Sequence, residues 1–238
     1  MYTENFSLQT YNTFGLNVRT QAFFQFNDIQ ECICFLQKGT YPHPLFVLGG
    51  GSNVLFTDNF KGTIIHPHNK GIRIISEDTD TAYVLVAGGE EWDDFVAWSV
   101  EHNLYGVENL SLIPGSVGAS AVQNIGAYGV EAKDTIDTVY AIDTQNGKIE
   151  KFSNADCEFA YRSSVFKKSN KTYCISNIIF ALSKKKHFTL EYGNIQETLE
   201  KNEEITLFDI RQTIISIRNT KLPDPIIIGN AAVFLKTQ

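Results

Sequence analysis

A stretch of glycine and other small residues at positions 112–129 constrains the fold of this chain more than any other feature. Its glycines stand at positions 115, 118, 126 and 129, and the polar pair Gln123-Asn124 interrupts the small side chains. Side chains this small cannot fill a hydrophobic core, so we expect the backbone to approach a flat or charged ligand closely. An irregular surface loop is the alternative interpretation, because glycine also marks ordinary turns.

A second glycine-rich segment follows the apolar run at residues 45–48. It consists of Gly49, Gly50, Gly51, Ser52 and Asn53. Consecutive glycines allow backbone N–H groups to surround phosphate oxygens. The spacing matches neither the G-x-G-x-x-G dinucleotide fingerprint nor the G-x-x-x-x-G-K-[ST] phosphate loop. A tight turn without a ligand is therefore the alternative interpretation.

Two further segments offer cations for an anionic group. Tyr161 and Arg162 are adjacent in the segment YRSSVFK, and an arginine can bind both oxygens of a carboxylate or phosphate. Lys221 lies at a turn where two prolines end the preceding helix. A surface salt bridge is the alternative role for Arg162.

Composition excludes several classes of protein. The 238 residues are 43% hydrophobic, which is typical of one large globular domain or two small ones. The net charge is −7 without a basic block, so no nucleic-acid or membrane partner is expected. The four cysteines lack zinc-site spacing, and no metal is expected. No signal peptide or membrane-length apolar run is recognised, which predicts a cytoplasmic protein with reduced thiols.

Hydrophobic periodicity predicts a mixture of helices and strands. Helices are expected at residues 27–38, 91–102 and 206–218. The segment 45–56 is interpreted as strand, glycine-rich turn and strand. Further strands are expected at residues 63–66, 72–75, 83–87, 136–142, 148–152 and 173–182, and Asn146-Gly147 predicts a hairpin turn. The pattern favours an α/β or α+β fold with more than one sheet.

Taken together, these segments resemble the UDP-N-acetylenolpyruvoylglucosamine reductase family. The motifs follow in order along residues 11–231 as NTF, LGGGSNVLF, ENLSLIPGSVGASAVQNIGAYG, YRSSVFK, KLPDP and GNA. The resemblance implies an α+β fold, the two-lobed FAD-binding scaffold of the p-cresol methylhydroxylase-like type. A small α/β lobe (residues 1–66 with 221–238) would join a larger lobe (residues 67–220) of antiparallel sheet and helices. FAD would lie between the two lobes.

The resemblance also implies a reaction and the residues that serve it. The family uses NADPH and FAD to reduce the enolpyruvyl group of a UDP-sugar during peptidoglycan precursor synthesis. Arg162 would stabilise the substrate carboxylate as charge develops there, while Tyr161 and Lys221 would bind the substrate. A monomer is expected. The implied FAD contacts are Gly49, Gly50, Gly51, Ser52, Asn53, Pro114, Gly115, Ser116, Val117, Gly118, Gln123, Asn124, Gly126, Ala127, Tyr128 and Ile175.

The last residues depart from the family pattern. Val233 stands where the family has a serine that donates a proton, and valine has no proton to donate. We expect the family's third, substrate-binding domain to be absent. Residues 232–238 and a stop can be encoded as GCA GTT TTC TTA AAA ACC CAG TGA, and one G placed before these codons makes them encode Gly-Ser-Phe-Leu-Lys-Asn-Pro-Val. Our hypothesis is therefore a single-nucleotide deletion in the gene or its sequencing. We therefore expect most FAD contacts to be retained and turnover to be negligible. A non-catalytic flavin- or nucleotide-binding module is the alternative function.

Overall fold

Two β-sheets organise the chain in a computed structural model that describes residues 1–191, 195–199 and 204–221. The first sheet has four strands in the described residues, in the spatial order first, second, fourth and third. Its first two strands are antiparallel, and the fourth is parallel to both of its neighbours. The elements of this part are β1 (Tyr2–Ser7), β2 (Arg19–Phe26), α1 (Ile29–Lys38), β3 (Leu45–Val47) and β4 (Phe60–Pro67).

The second sheet is antiparallel and carries most of the remaining chain. Its elements in the described residues are β5 (Ile72–Glu77), β6 (Thr81–Ala87), α2 (Trp92–Glu101), α3 (Val117–Val122), β7 (Gly126–Ala127), β8 (Val130–Glu131), β9 (Ile136–Asp143), β10 (Ile149–Ser153), α4 (Val165–Lys168), β11 (Tyr173–Ser183), α5 (Ile195–Leu199) and α6 (Leu207–Lys221). The strand order is β10-β9-β11-β6-β5, while β7 and β8 pair only with each other. Short 3-10 turns occur at Gln9–Tyr11, Glu108–Leu110 and Ala132–Asp134.

The first helix confirms the prediction for residues 27–38. Asp28 caps α1, because its side chain accepts the backbone N–H of Gln30 at 2.6 Å. Gly39 ends the helix in the left-handed conformation, with φ of 63°, and donates its N–H to the carbonyl of Leu36. Cys32 and Leu36 are buried in one cluster with strand residues of the first sheet. The helix therefore covers one face of that sheet.

Aromatic packing fixes α2 on the second sheet. The rings of Trp92 and Phe95 lie 6.0 and 4.5 Å from the ring of Phe180 on β11. All three side chains are at most 1% exposed. The predicted helices at residues 91–102 and 206–218 are thus confirmed as α2 and α6. The Asn146-Gly147 hairpin between β9 and β10 is confirmed as well, with a positive φ of 71° at the glycine.

The two sheets meet through apolar side chains. Ile142 of β9 and Cys174 of β11 belong to the same buried cluster as Phe24 and Cys32 of the first sheet. Contact with the Cys32 thiol and burial raise the pKa of the Cys174 thiol well above its usual value. The division between lobes at residues 66 and 67 stays a prediction; the first sheet ends at Pro67 and the second begins at Ile72. Residues 222–238, which include Val233, lie outside the described residues.

Some of the local structure differs from the sequence prediction. The strand expected after the glycine-rich turn is wrong, since residues 54–56 have no regular structure. Val54 and Phe56 pack against the cluster of Leu8 and Phe23, whereas Leu55 is 61% exposed. The strands β1 and β2 and the helix α3 were not predicted. Within the described ranges, no helix is long and apolar enough to cross a membrane.

Burial predicts how the four cysteines react with an aromatic disulfide reagent. Cys34 is exposed, while Cys32, Cys157 and Cys174 are buried. Burial and the neighbouring Asp156 charge also raise the pKa of Cys157 to about 12, which leaves little thiolate. We expect one fast-reacting thiol in the native chain and four in denaturant. The Cys34→Ser variant should show no fast thiol, and rapid reaction of that variant would contradict the packing.

Candidate functional site

A cavity of about 460 Å³ lies between the turn after β3 and the segment leading into α3. This volume falls within the roughly 300–1,000 Å³ of typical cofactor and ligand pockets. The lining combines small side chains with apolar ones from both sheets. The predicted cofactor residues found there are Gly49, Gly50, Gly51, Ser52, Asn53, Pro114, Gly115, Ser116, Gly118, Gln123 and Ile175. The structure therefore brings the two glycine-rich segments together.

The two glycine-rich segments touch at the cavity. A β-carbon placed on Gly50 would lie 3.0 Å from the Cα atom of Gly115, which is tighter than nearly all real β-carbon contacts. Ser52 Oγ donates a hydrogen bond to the carbonyl oxygen of Pro114 at 3.1 Å. The Asn53 side-chain amide donates to Gln123 Oε1. Glycine at position 50 thus permits an approach that two polar contacts then hold.

The turn at residues 49–53 presents free donors. Within the described part of the chain, none of its five backbone N–H groups donates a hydrogen bond to a protein acceptor. The turn is held instead through the carbonyl of Gly51, which accepts the N–H of Thr13 at 3.3 Å. A row of free N–H groups binds anions. This arrangement suits a phosphate or diphosphate group.

The amino-terminal end of α2 holds the other side of the cavity in place. Trp92 donates its backbone N–H to Gly115 at 2.9 Å and its indole N–H to Leu110 at 2.9 Å. Asp93 accepts the backbone N–H of Leu112 at 2.5 Å. Gly115 has φ of 121°, a conformation that favours glycine. The segment 112–115 is therefore fixed by hydrogen bonds at both ends.

The other predicted cofactor residues lie beside the cavity rather than in its lining. Val117 is fully buried in the core of the second sheet. Asn124 is buried too, and its amide donates to the carbonyl of Ala160 at 3.1 Å. Gly126 and Ala127 form β7, and Tyr128 packs against the apolar cluster of α5 and α6. Burial raises the pKa of Tyr128, while the charge of Arg218 opposes that effect.

Arg162 stands next to the second glycine-rich segment but outside the lining of the cavity. Its Nη2 donates to the carbonyl oxygen of Gly126 at 2.6 Å, and the side chain is half-buried. The neighbouring Tyr161 is 58% exposed, with its ring 5.7 Å from the guanidinium carbon. Lys221 is exposed at the last residue of α6. The structure therefore places Arg162 and Tyr161 beside the cavity rather than in its lining.

Two lysines in the lining were missed by the sequence analysis. Lys167 Nζ donates to the carbonyl oxygen of Arg162 at 3.0 Å. Lys171 Nζ lies 3.1 Å from Asp143 and 3.3 Å from Glu150, and these carboxylates raise the pKa of the lysine. Only the final K of the YRSSVFK motif could have indicated Lys167. Lys171 reaches the cavity because it precedes β11, a tertiary placement without a local motif.

The fold and the cavity define the class of protein first. Residues 21–153 match the model of the FAD binding domain family. The chain is similar to the crystal structure of UDP-N-acetylenolpyruvylglucosamine reductase (MurB) from Thermus caldophilus, with a TM-score of 0.69, 18% identity, and coverage of 94% of this chain and 71% of that one. It is also similar to p-cresol methylhydroxylase with substrate bound, with a TM-score of 0.50, 16% identity, and coverage of 81% and 43%. These likenesses confirm the predicted α+β FAD-binding fold.

Sequence comparison then gives the family. The chain is 45% identical to UDP-N-acetylenolpyruvoylglucosamine reductase of Bacteroides fragilis (strain YCH46) over 232 residues, which are 97% of this chain and 70% of the relative. The reductase of Pseudomonas aeruginosa is 40% identical over 238 residues, which are 98% and 70% of the two chains. The chain belongs to the UDP-N-acetylenolpyruvoylglucosamine reductase family. It spans about 70% of the length of these relatives.

Two glycines with the same backbone conformation provide a matched test of the turn. Gly51 and Gly15 have φ of 66° and 65°. An alanine at Gly15 meets open space, so it should cost only the left-handed strain of about 1–2 kcal/mol. An alanine at Gly51 would also run into the carbonyl oxygen of Tyr11, which adds about 1–3 kcal/mol of overpacking.

The free energies of unfolding of both variants, measured by urea denaturation, check this expectation. Gly51→Ala should be clearly less stable than Gly15→Ala. Equal losses in the two variants would contradict the close packing of the turn on Tyr11.

Proposed function

We propose that the chain binds FAD in the cavity between the two glycine-rich segments, with the diphosphate on the turn at residues 49–53. The observation that carries this proposal is the row of free backbone N–H groups in a turn that contacts Gly115 across the cavity. The lining also suits the group, because small residues at positions 115, 116 and 118 leave room for a flat ring. Membership of a family with an FAD binding domain supports the same ligand.

We further propose the reaction of an NADPH-using reductase of peptidoglycan precursor synthesis, located in the cytoplasm. When bound, FAD would relay a hydride from NADPH to the enolpyruvyl double bond of UDP-N-acetylglucosamine enolpyruvate, giving UDP-N-acetylmuramate. Arg162 would bind the substrate carboxylate with its guanidinium, which a planar fork of donors does well. Tyr161 and Lys221, which are both exposed, would bind the UDP-sugar.

The full reaction also requires a proton donor. Charge that develops toward the carboxylate must be neutralised by a proton, and the family position for the donor holds Val233. We therefore propose that the chain as a monomer retains FAD and accepts hydride from NADPH, but reduces the enolpyruvyl group negligibly. A non-catalytic flavin-binding module is the second candidate, which Val233 favours. The retained Tyr161, Arg162 and Lys221 argue against it, because they serve the substrate rather than FAD.

Anaerobic mixing separates the two half reactions. The chain loaded with FAD should lose its visible flavin absorbance when NADPH is added, and the reduced flavin should persist after addition of the enolpyruvyl substrate. A full-length relative run in parallel should recover its absorbance after the same addition. Failure of the chain to retain FAD would contradict the proposed function, and rapid recovery would contradict the claim about Val233. If NADPH leaves the flavin oxidised, the non-catalytic module is favoured.

A further inference from the structure

An ion pair ties α6 to the helix that holds the cavity loop. Arg211 of α6 binds the Asp93 carboxylate through both terminal nitrogens, with Nη1 2.6 Å from Oδ1 and Nη2 2.8 Å from Oδ2. The side chains are only 13% and 30% exposed. Bidentate pairs of this kind fix the relative orientation of two elements as well as their distance.

The same carboxylate also holds the loop. Asp93 Oδ1 accepts the backbone N–H of Leu112 at 2.5 Å. Leu112 has φ of 58°, a left-handed conformation that costs a residue with a β-carbon about 1–2 kcal/mol. Burial tends to raise the pKa of Asp93, but hydrogen bonds from Arg211 and Leu112 outweigh it and lower the pKa. The charged carboxylate thus offsets the strain at Leu112.

The loop that starts at Leu112 reaches the cavity two residues later. Pro114 and Gly115 line the cavity, and the Pro114 carbonyl accepts the Ser52 hydroxyl from the opposite side. Neither Asp93 nor Arg211 is among the described residues that line it. Both side chains can therefore affect a bound ligand only indirectly, through the position of the loop and of Trp92, which precedes Asp93 and lines the cavity.

The remaining contacts of α6 are with α5, with α2 and with the 3-10 turn Glu108–Leu110 that precedes the loop. Ile210 and Ile214 are fully buried in an apolar cluster with α5 and with Tyr128. Displacement of α6 would withdraw Arg211 from Asp93 and leave a partly buried carboxylate without its counter-ion. That carboxylate would then turn toward water and release the N–H of Leu112.

We propose that Asp93 and Arg211 are a positioning pair that links FAD binding in the cavity to the docking of α6. This inference rests on the proposed binding of FAD. Because the coupling of two equilibria is reciprocal, bound FAD stabilises the docked helix and the docked helix strengthens FAD binding. The pair supplies no contact to the flavin and acts by holding the segment 112–115 in place.

Two measurements on the same samples test the link. The dissociation constant of FAD is measured by quenching of flavin fluorescence in the wild-type chain and in Arg211→Ala, and amide hydrogen exchange is followed in residues 207–221. The Kd in Arg211→Ala should rise about tenfold, equivalent to about 1.4 kcal/mol. FAD should slow amide exchange in α6 of the wild-type chain. In Arg211→Ala, amide exchange in α6 should be the same with and without FAD. Arg211→Lys keeps the charge without the fork and should show an intermediate Kd.

Two control variants separate positioning from general destabilisation. Lys185→Ala removes an exposed pair with Asp80 and should leave both readouts unchanged. Val139→Ala opens a cavity on β9, where Val139 pairs with Phe152 and Ile178 rather than with the loop, so it should lower the unfolding temperature but leave the Kd unchanged. The link alone would be overturned by an unchanged Kd in Arg211→Ala. It would also be overturned if amide exchange in α6 of the wild-type chain were the same with and without FAD. A wild-type chain that does not bind FAD would overturn both the link and the proposed function.

Discussion

The contact between Gly50 and Gly115 is the constraint on which the site depends. A β-carbon on Gly50 would lie 3.0 Å from the opposite Cα atom, so a larger residue there would require the facing segment to shift by a few tenths of an ångström. The Ser52 and Asn53 side chains then connect the segments by hydrogen bonds to Pro114 and Gln123. These contacts use only side-chain atoms and carbonyl oxygens. The backbone N–H groups of the turn therefore remain able to bind an anion.

Rigid supports on both sides keep that contact in place. The two sheets meet at a buried apolar cluster around Ile142 and Cys174. If one sheet slid over the other, this apolar surface would be exposed to water. On the cavity side, α2 binds the segment 112–115 through its backbone and through Asp93. These contacts limit the movement of the loop, and a site held in this way loses less conformational entropy when a ligand binds.

Local signals in the sequence predicted local structure well. The Asp28 cap, the Asn146-Gly147 turn and the periodicity of α2 each depend on neighbours a few residues apart. The glycine-rich segments likewise predicted the two sides of the cavity. The strand expected after the first turn is wrong because Val54 and Phe56 pack against distant residues, which no local pattern encodes.

Other parts of the site depend on contacts far apart in the sequence. Lys171 enters the cavity lining through the register of β11, and Arg211 meets Asp93 across 118 positions. Family motifs indicated Arg162 as the cation for the substrate carboxylate, and that role stays a prediction. Its contact with the carbonyl of Gly126 and its place outside the cavity lining depend on tertiary structure, which no local motif encodes.

A crystal structure of the chain grown with FAD tests the central claim most directly. The account predicts the diphosphate on the N–H groups of residues 49–53 and the flavin ring along Pro114, Gly115 and Gln123. The alternative position in the same crystals is the cavity of about 1030 Å³ near Tyr41 and Thr144, which polar and apolar side chains line together. FAD in that position, or a turn whose N–H groups point away from the cofactor, would contradict the account.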